Sequence, residues 1–287
     1  MSSPENPLSP QPPVTTEPQP SLLLTPDPVT PDAFPTSLPQ PDENPVWNGW
    51  DVLLIAVLAV LSVIVLQVLI LVGAKELIYQ HLSWKALTQK AVLAILAQFL
   101  AYMVLAIYMV ALVEGKYHVR FWSAIRWNWP GSQWKLFGLG ALVLLALNLL
   151  GHFLPMPQST PFEDLFKHPR DAYLMSVFAI TFGPLMEELF FRGFLYPVLA
   201  RRMGVAWGIF FTALPFGLIH MFQYGYAWGV VLLIFLMGVV CTAVRAATGS
   251  VASSFLVHVG YNATEMLLFA IATDGFRHME KAGMAMF

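Results

Sequence analysis

The sequence predicts an all-α protein, a polytopic bundle of about seven transmembrane helices that follows a disordered N-terminal tail. Of the 287 residues, 57% are hydrophobic and only 11% are charged, whereas about 25% of a soluble domain is charged. Several apolar runs are long enough to cross a bilayer core of roughly 30 Å, and none alternates as the strands of a membrane barrel do. We therefore expect a multi-pass integral membrane protein.

The predicted spans are continuous apolar segments, and the fourth is the least regular. Pro184 and Pro197 weaken it, because proline removes a backbone donor, so it could be two shorter helices. A loop between the second and third spans is rich in tryptophan (Trp122, Trp127, Trp129), which is typical of the headgroup level of a membrane. The seven spans cover residues 52–72, 91–113, 136–154, 172–197, 205–221, 227–244 and 251–273.

Residues 1–46 differ from the rest in composition. They hold 14 of the 22 prolines and six acidic residues, with no lysine or arginine. Such a segment buries too little apolar surface to offset its ordering entropy, and it lacks the basic start and short apolar core of a signal peptide. We expect a disordered, acidic tail.

The net charge of -2 gives no indication of a nucleic-acid partner, and the single Cys241 is interpreted as a small buried side chain.

Glu187, Glu188 and Arg192 lie within the fourth predicted span, in the run MEELFFRG. Charged groups at that depth are costly and usually functional. Glu188 and Arg192 are four residues apart and can pair on one helix face, so Arg192 is expected to hold Glu188 ionised. Glu187 is rotated by about 100° and is expected to face a cavity as a general base. The alternative is a salt bridge that only joins helices.

Two further pairs repeat the spacing of four residues. Phe216 precedes His220, so the aromatic ring can restrict the imidazole; alone, His220 would be an ordinary hydrogen-bonded histidine. His258 and Asn262 project in one direction and could donate to a developing oxyanion, or only bond between helices. Glu265 shares the face of His258 and Asn262, and its role stays open.

Asn148 and His152, also four residues apart, are interpreted as residues that hold helices together. Two sequence motifs of hydrolases are absent: the chain has no HExxH zinc helix and no GxSxG turn.

In order, the patterns EExxxR, FxxxH and HxxxN resemble those of the CAAX prenyl endopeptidase and bacteriocin-processing family of intramembrane proteases, also called the abortive-infection or Rce1-like family. The resemblance covers roughly residues 170–270. We expect residues 47–170 to hold N-terminal transmembrane helices and the Trp-rich loop, residues 171–274 a catalytic transmembrane core, and residues 275–287 a C-terminal tail. The resemblance implies an endopeptidase that hydrolyses a peptide bond of a membrane-associated protein or peptide.

The resemblance assigns a role to each motif residue. Glu187 and His220 would activate water, while His258 and Asn262 would stabilise the oxyanion. Glu188, Arg192 and Phe216 would support the site. No cofactor is favoured; the alternative is a divalent metal such as zinc on Glu187, His220 and His258, which are ligand types that zinc accepts.

A non-enzymatic hypothesis uses the same polar cluster. A membrane scaffold or a transporter-like proton relay also employs intramembrane carboxylates and histidines. A protease needs Glu187, His220, His258 and Asn262 around one cavity, whereas a relay needs them in succession across the membrane. The expected partners are therefore the lipid bilayer and, for the enzyme, a membrane-associated substrate.

Overall fold

Helices are the regular secondary structure of the part of the chain described by the computed structural model, which covers residues 44–157, 160–161, 163–166 and 168–279. No β-strand occurs within these ranges, and the all-α prediction is confirmed. The predicted disordered tail falls mostly on residues 1–43, and the end of the C-terminal tail on residues 280–287; both lie outside the described residues.

Eleven α-helices are described, with two π-helical segments and one 3-10 turn. The π-helical segment Ala111–Lys116 continues α3, the segment Leu189–Leu195 connects α7 to α8, and the 3-10 turn is Glu163–Phe166. The α-helices are α1 (Gly49–Leu77), α2 (Trp84–Thr88), α3 (Ala91–Val110), α4 (Phe121–Ala124), α5 (Gln133–Gly151), α6 (Pro169–Ile180), α7 (Phe182–Glu188), α8 (Tyr196–Met203), α9 (Val205–Ile219), α10 (Trp228–Thr248) and α11 (Val251–Ala272).

Six helical stretches in the described part of the chain are long and apolar enough to cross a membrane. The fifth predicted span, residues 205–221, corresponds to α9, which is apolar but only 15 residues long. The chain is an integral membrane protein. The six stretches are Gly49–Leu77, Ala91–Lys116, Gln133–Gly151, Pro169–Met203, Trp228–Thr248 and Val251–Ala272.

The fourth span is broken at Thr181, as the prolines indicated. Pro184 has no N–H to donate to the carbonyl of Ile180, and its ring crowds that carbonyl, so α6 ends at Ile180 and α7 begins at Phe182. The π-helical segment follows Glu188 directly and ends before α8, where Pro197 occupies the first turn. Inserted π turns are frequent at functional sites, and this one lies between Glu188 and α8.

Two glycines allow α5 and α11 to pack backbone against backbone. A Cβ atom at Gly140 would overlap the carbonyl oxygen of Val257, and one at Gly260 would overlap the carbonyl of Phe137. Small residues at such crossings let membrane helices approach closely. This contact fixes α11, which carries His258 and Asn262, against α5.

Replacing Gly140 by alanine is expected to lower the thermal stability of the protein in detergent. The added methyl must push α5 away from α11, and such overpacking costs about 1–3 kcal/mol. Gly138 is the matched control, since it lies on the same helix with nothing within 4 Å of a Cβ. Melting followed by tryptophan fluorescence should show a lower midpoint for Gly140→Ala alone. Equal midpoints for both variants would contradict the close contact.

Candidate active site

One cavity of about 430 Å³ lies inside the helix bundle. Its walls come from the first halves of α3 and α10, the ends of α5 and α9, the α6–α7 region and the middle of α11. Glu187, His220, His258 and Asn262 all line it. The four candidate catalytic side chains, which are separated by up to 75 positions in sequence, therefore meet around a single space.

Glu187 lies between the two histidines. Its Oε1 is 3.8 Å from Nε2 of His220, and its Oε2 is 3.7 Å from Nε2 of His258. Both distances exceed the length of a hydrogen bond. The Glu187 carboxylate is 19% exposed, toward the cavity, so both of its oxygens are available to a water molecule or a substrate.

Glu188 and Arg192 form a fully buried ion pair behind this cavity. Arg192 Nη1 donates to Glu188 Oε1 at 2.8 Å, which is the pair expected from the spacing of four residues. The other guanidinium nitrogens donate to α10: Nη2 to the carbonyl of Gly238 at 2.9 Å and Nε to the hydroxyl of Thr242 at 3.2 Å. The guanidinium also lies 4.5 Å from the ring centroid of Phe216. Arg192 thus joins α9 and α10 to the span that carries both glutamates.

The hydrogen bonds at Nδ1 determine which ring nitrogen of each histidine faces Glu187, and whether that nitrogen carries a hydrogen. His220 Nδ1 lies 2.8 Å from the Phe216 carbonyl, which can only accept, so Nδ1 carries the hydrogen. His258 Nδ1 lies 2.8 Å from Glu188 Oε1, the carboxylate oxygen that also accepts from Arg192, and donates to it. Both rings therefore direct Nε2 toward Glu187, and in a neutral ring this Nε2 is a proton acceptor.

Phe216 and Asn262 help to define the same geometry. The Phe216 ring packs at 5.3 Å from the His220 ring and 5.8 Å from the His258 ring, centroid to centroid. Asn262 Nδ2 donates to the carbonyl of Ala179 at 2.7 Å, close to the helix break. This bond orients the amide and leaves its second N–H hydrogen for another acceptor.

Several residues of the site were not identified from the sequence. Gly238 and Thr242 accept hydrogen bonds from Arg192. Of the two, only Thr242 could have been noticed in the sequence, because it is a polar residue within an apolar helix. Tyr102 and Gln98, four residues apart on α3, line the cavity beside Glu187. Asn148 also lines it. The expectation that His152 joins helices is wrong, because His152 is exposed and bonds to the carbonyl of Asn148 in its own helix.

Two sets of side chains near the cavity carry atoms of the kinds that bind metal ions. Within the described residues, Glu188, Cys241 and His258 have ligand atoms within 4.8 Å of one another. They fit an ion poorly, because Glu188 Oε1 already accepts from both Arg192 and His258. Glu187, His220 and His258 do not form such a group among the described residues, but each imidazole has Nδ1 held by an oxygen acceptor, as is usual for metal-binding histidines, and turns Nε2 toward the Glu187 carboxylate.

Comparison with known proteins gives one family match. The family described as Type II CAAX prenyl endopeptidase Rce1-like matches residues 169–264. This segment begins with α6 and ends within α11, so it contains all three motifs and the cavity residues that they supply. No curated protein and no solved structure shows a significant match to the chain. Over residues 169–264 the chain is therefore similar to the Rce1-like type II CAAX prenyl endopeptidase family, a family of integral membrane proteases.

Proposed function

We propose that this protein is an intramembrane endopeptidase that cleaves a membrane-associated protein or peptide through Glu187, His220, His258 and Asn262. The observation that carries the proposal is their convergence on one cavity from separate helices. A proton relay would need these groups in succession across the membrane, but both histidines lie within 4 Å of the Glu187 carboxylate. The arrangement favours an enzyme over a relay or a scaffold.

Glu187 and His220 activate the attacking water. A water molecule beside the Glu187 carboxylate gives up one proton, for which Glu187 and Nε2 of His220 are the available acceptors. Its oxygen bonds to the carbonyl carbon of the scissile peptide, and the carbonyl oxygen becomes an oxyanion. When the C–N bond breaks, the proton passes to the leaving amine. The products are a carboxylate and a new amino terminus.

His258 and Asn262 stabilise the oxyanion. Asn262 contributes the amide hydrogen that Ala179 does not use. Because Nδ1 of His258 already donates to Glu188, the ring donates from Nε2 only when it is doubly protonated. Glu188 and Arg192 hold that ring in place from outside the cavity. Donors fixed in a site of low dielectric stabilise developing charge more than they would in water.

Zinc hydrolysis is the second candidate, and the orientation of the two histidines favours it. Neutral His220 and His258 would bind the ion through Nε2, with Glu187 as the carboxylate ligand. A zinc ion bound there would polarise the scissile carbonyl and acidify water. In this version His258 holds the metal, and Asn262 remains the donor to the oxyanion.

Metal analysis of the purified protein separates the two versions. The metal-free proposal predicts cleavage that persists after chelation and a zinc content well below one per chain. The zinc version predicts about one zinc per chain, lost in His220→Ala but retained in His152→Ala, whose histidine is exposed just after α5. Loss of cleavage on chelation, restored by added zinc, would overturn the metal-free version.

The endopeptidase itself is tested in liposomes. Purified protein is reconstituted with a library of membrane-anchored peptides, and new termini are identified by mass spectrometry. Internal cleavage that disappears in Glu187→Gln supports the proposal. Intact peptides together with a Glu187-dependent proton flux across the liposome would support the relay instead.

A further inference from the structure

We propose that Glu265 forms a subsite that selects a lysine or arginine side chain of the substrate, a few residues from the cleaved bond. This inference rests on the proposed endopeptidase function and names the class of peptide that it would favour. Three observations carry it: the place of Glu265 in the cavity, its lack of a partner among the described residues, and the charge of the cavity wall.

Glu265 lines the same cavity as the candidate catalytic residues. It follows His258 by seven residues and Asn262 by three on α11, so all three share one helix face. At 1.5 Å per residue, Glu265 lies about 10 Å along the helix from His258. This position is toward the end of the bundle where α3 and α10 begin, whose first halves form the cavity wall.

Among the described residues, Glu265 has no hydrogen-bond or ion-pair partner. Glu188, in contrast, accepts from Arg192 and His258. The side chain is half-buried, with its accessible part in the cavity. An intramembrane carboxylate is costly and is normally paired. A cation that enters the cavity would supply the missing partner.

Apart from the imidazoles of His220 and His258, the charged side chains that line the cavity are carboxylates. The described residues of the wall include two carboxylates, Glu187 and Glu265, and no lysine or arginine. A wall of one sign attracts the opposite charge and repels its own. The cavity therefore favours a basic side chain and disfavours an acidic one. Because Glu187 must stay open to water, Glu265 is the carboxylate that can pair with the substrate.

The distance between His258 and Glu265 determines how many residues separate the preferred basic side chain from the cleaved bond. An extended peptide advances about 3.3 Å per residue, so 10 Å corresponds to about three residues from the bond held near His258. The length of a lysine or arginine side chain widens this to about two to four residues. Discrimination between a charged and a neutral side chain at such a site is expected to be about tenfold, since like and unlike charges across a contact determine specificity.

The test uses matched peptides in which one lysine is moved along a sequence that otherwise carries norleucine, which is nearly isosteric and uncharged. The measured quantity is the ratio of kcat/KM for the lysine peptide to that for the norleucine peptide. Wild type should show a ratio of about ten at one register. The ratio should fall to about one in Glu265→Gln and stay near ten in the control Glu76→Gln, whose side chain is exposed at the end of α1. Glu265→Lys should prefer glutamate at that register.

Measurements of peptide binding test the Glu265 subsite independently of the proposed cleavage. Dissociation constants of the same peptides are measured on Glu187→Gln and on Glu187→Gln/Glu265→Gln. A lysine preference present in the first and absent in the second supports the subsite, even if no peptide is cleaved. Equal binding of lysine and norleucine peptides at every register overturns the subsite, even if Glu187-dependent cleavage is found.

Discussion

Replacing Glu187 by glutamine is expected to reduce peptide cleavage by about 10³-fold while the protein remains folded. Removal of a general base typically costs 10²- to 10⁴-fold in rate, and glutamine cannot accept the proton of the attacking water. The fold should tolerate the change, because the nearest histidine nitrogens lie 3.7 and 3.8 Å from the carboxylate and make no hydrogen bond with it. The measurements are cleavage of anchored peptides in liposomes and the melting midpoint in detergent.

Glu76→Gln is the matched control for this experiment. It removes the same charge from an exposed position on α1, so its cleavage rate and melting midpoint should equal those of wild type. Turnover by Glu187→Gln within a few fold of wild type would disprove the assignment of Glu187 as the base. A collapsed melting midpoint would instead mean that Glu187 holds the helices together.

Arg192→Ala is expected to lower both the stability of the protein and its activity. The substitution removes the bonds to Glu188, Gly238 and Thr242 and leaves a fully buried carboxylate without its cation. Breaking a buried pair in this way costs about 3–5 kcal/mol. Activity should fall as well, because Glu188 then loses the partner that fixes it beneath His258. Melting followed by tryptophan fluorescence, together with cleavage in liposomes, measures the two effects.

Two further variants separate charge from geometry at this position. Arg192→Lys keeps the charge but cannot reach all three acceptors, since the planar fork of arginine is lost; it should fall between wild type and alanine. Glu188→Gln/Arg192→Ala removes both charges, so it should recover part of the melting midpoint and none of the activity. Unchanged melting of Arg192→Ala with weaker substrate binding would show that Arg192 contacts substrate instead.

Local patterns were sufficient for six of the seven predicted spans and for the different directions in which the two glutamates point. Apolar length alone identifies the membrane helices, because the bilayer core fixes the number of residues needed to cross it. The rotation of 100° per residue places Glu187 toward the cavity and Glu188 toward Arg192, as the ion pair at 2.8 Å now shows. The break in the fourth span followed from Pro184, which acts on its own helix.

Contacts between distant helices could not be read in this way. The acceptors of Arg192 on α10, the backbone contact of Gly140 with α11 and the bond from Asn262 to Ala179 join residues 46 to 117 positions apart. Their partners depend on how the helices cross, which composition does not encode. The π-helical segment after Glu188 was not anticipated either.

The chemistry that this chain carries was thus already present in its linear order: a carboxylate pair with an arginine, and two histidines at fixed spacing on apolar helices. Only the packed bundle shows which nitrogen of each histidine faces Glu187, and that Glu265 lines the same cavity without a hydrogen bond or ion pair to any described residue. The physical reason is the distance along the chain over which each effect acts. Helix periodicity acts over a few residues, whereas proton positions and unpaired charges depend on neighbours supplied by other helices.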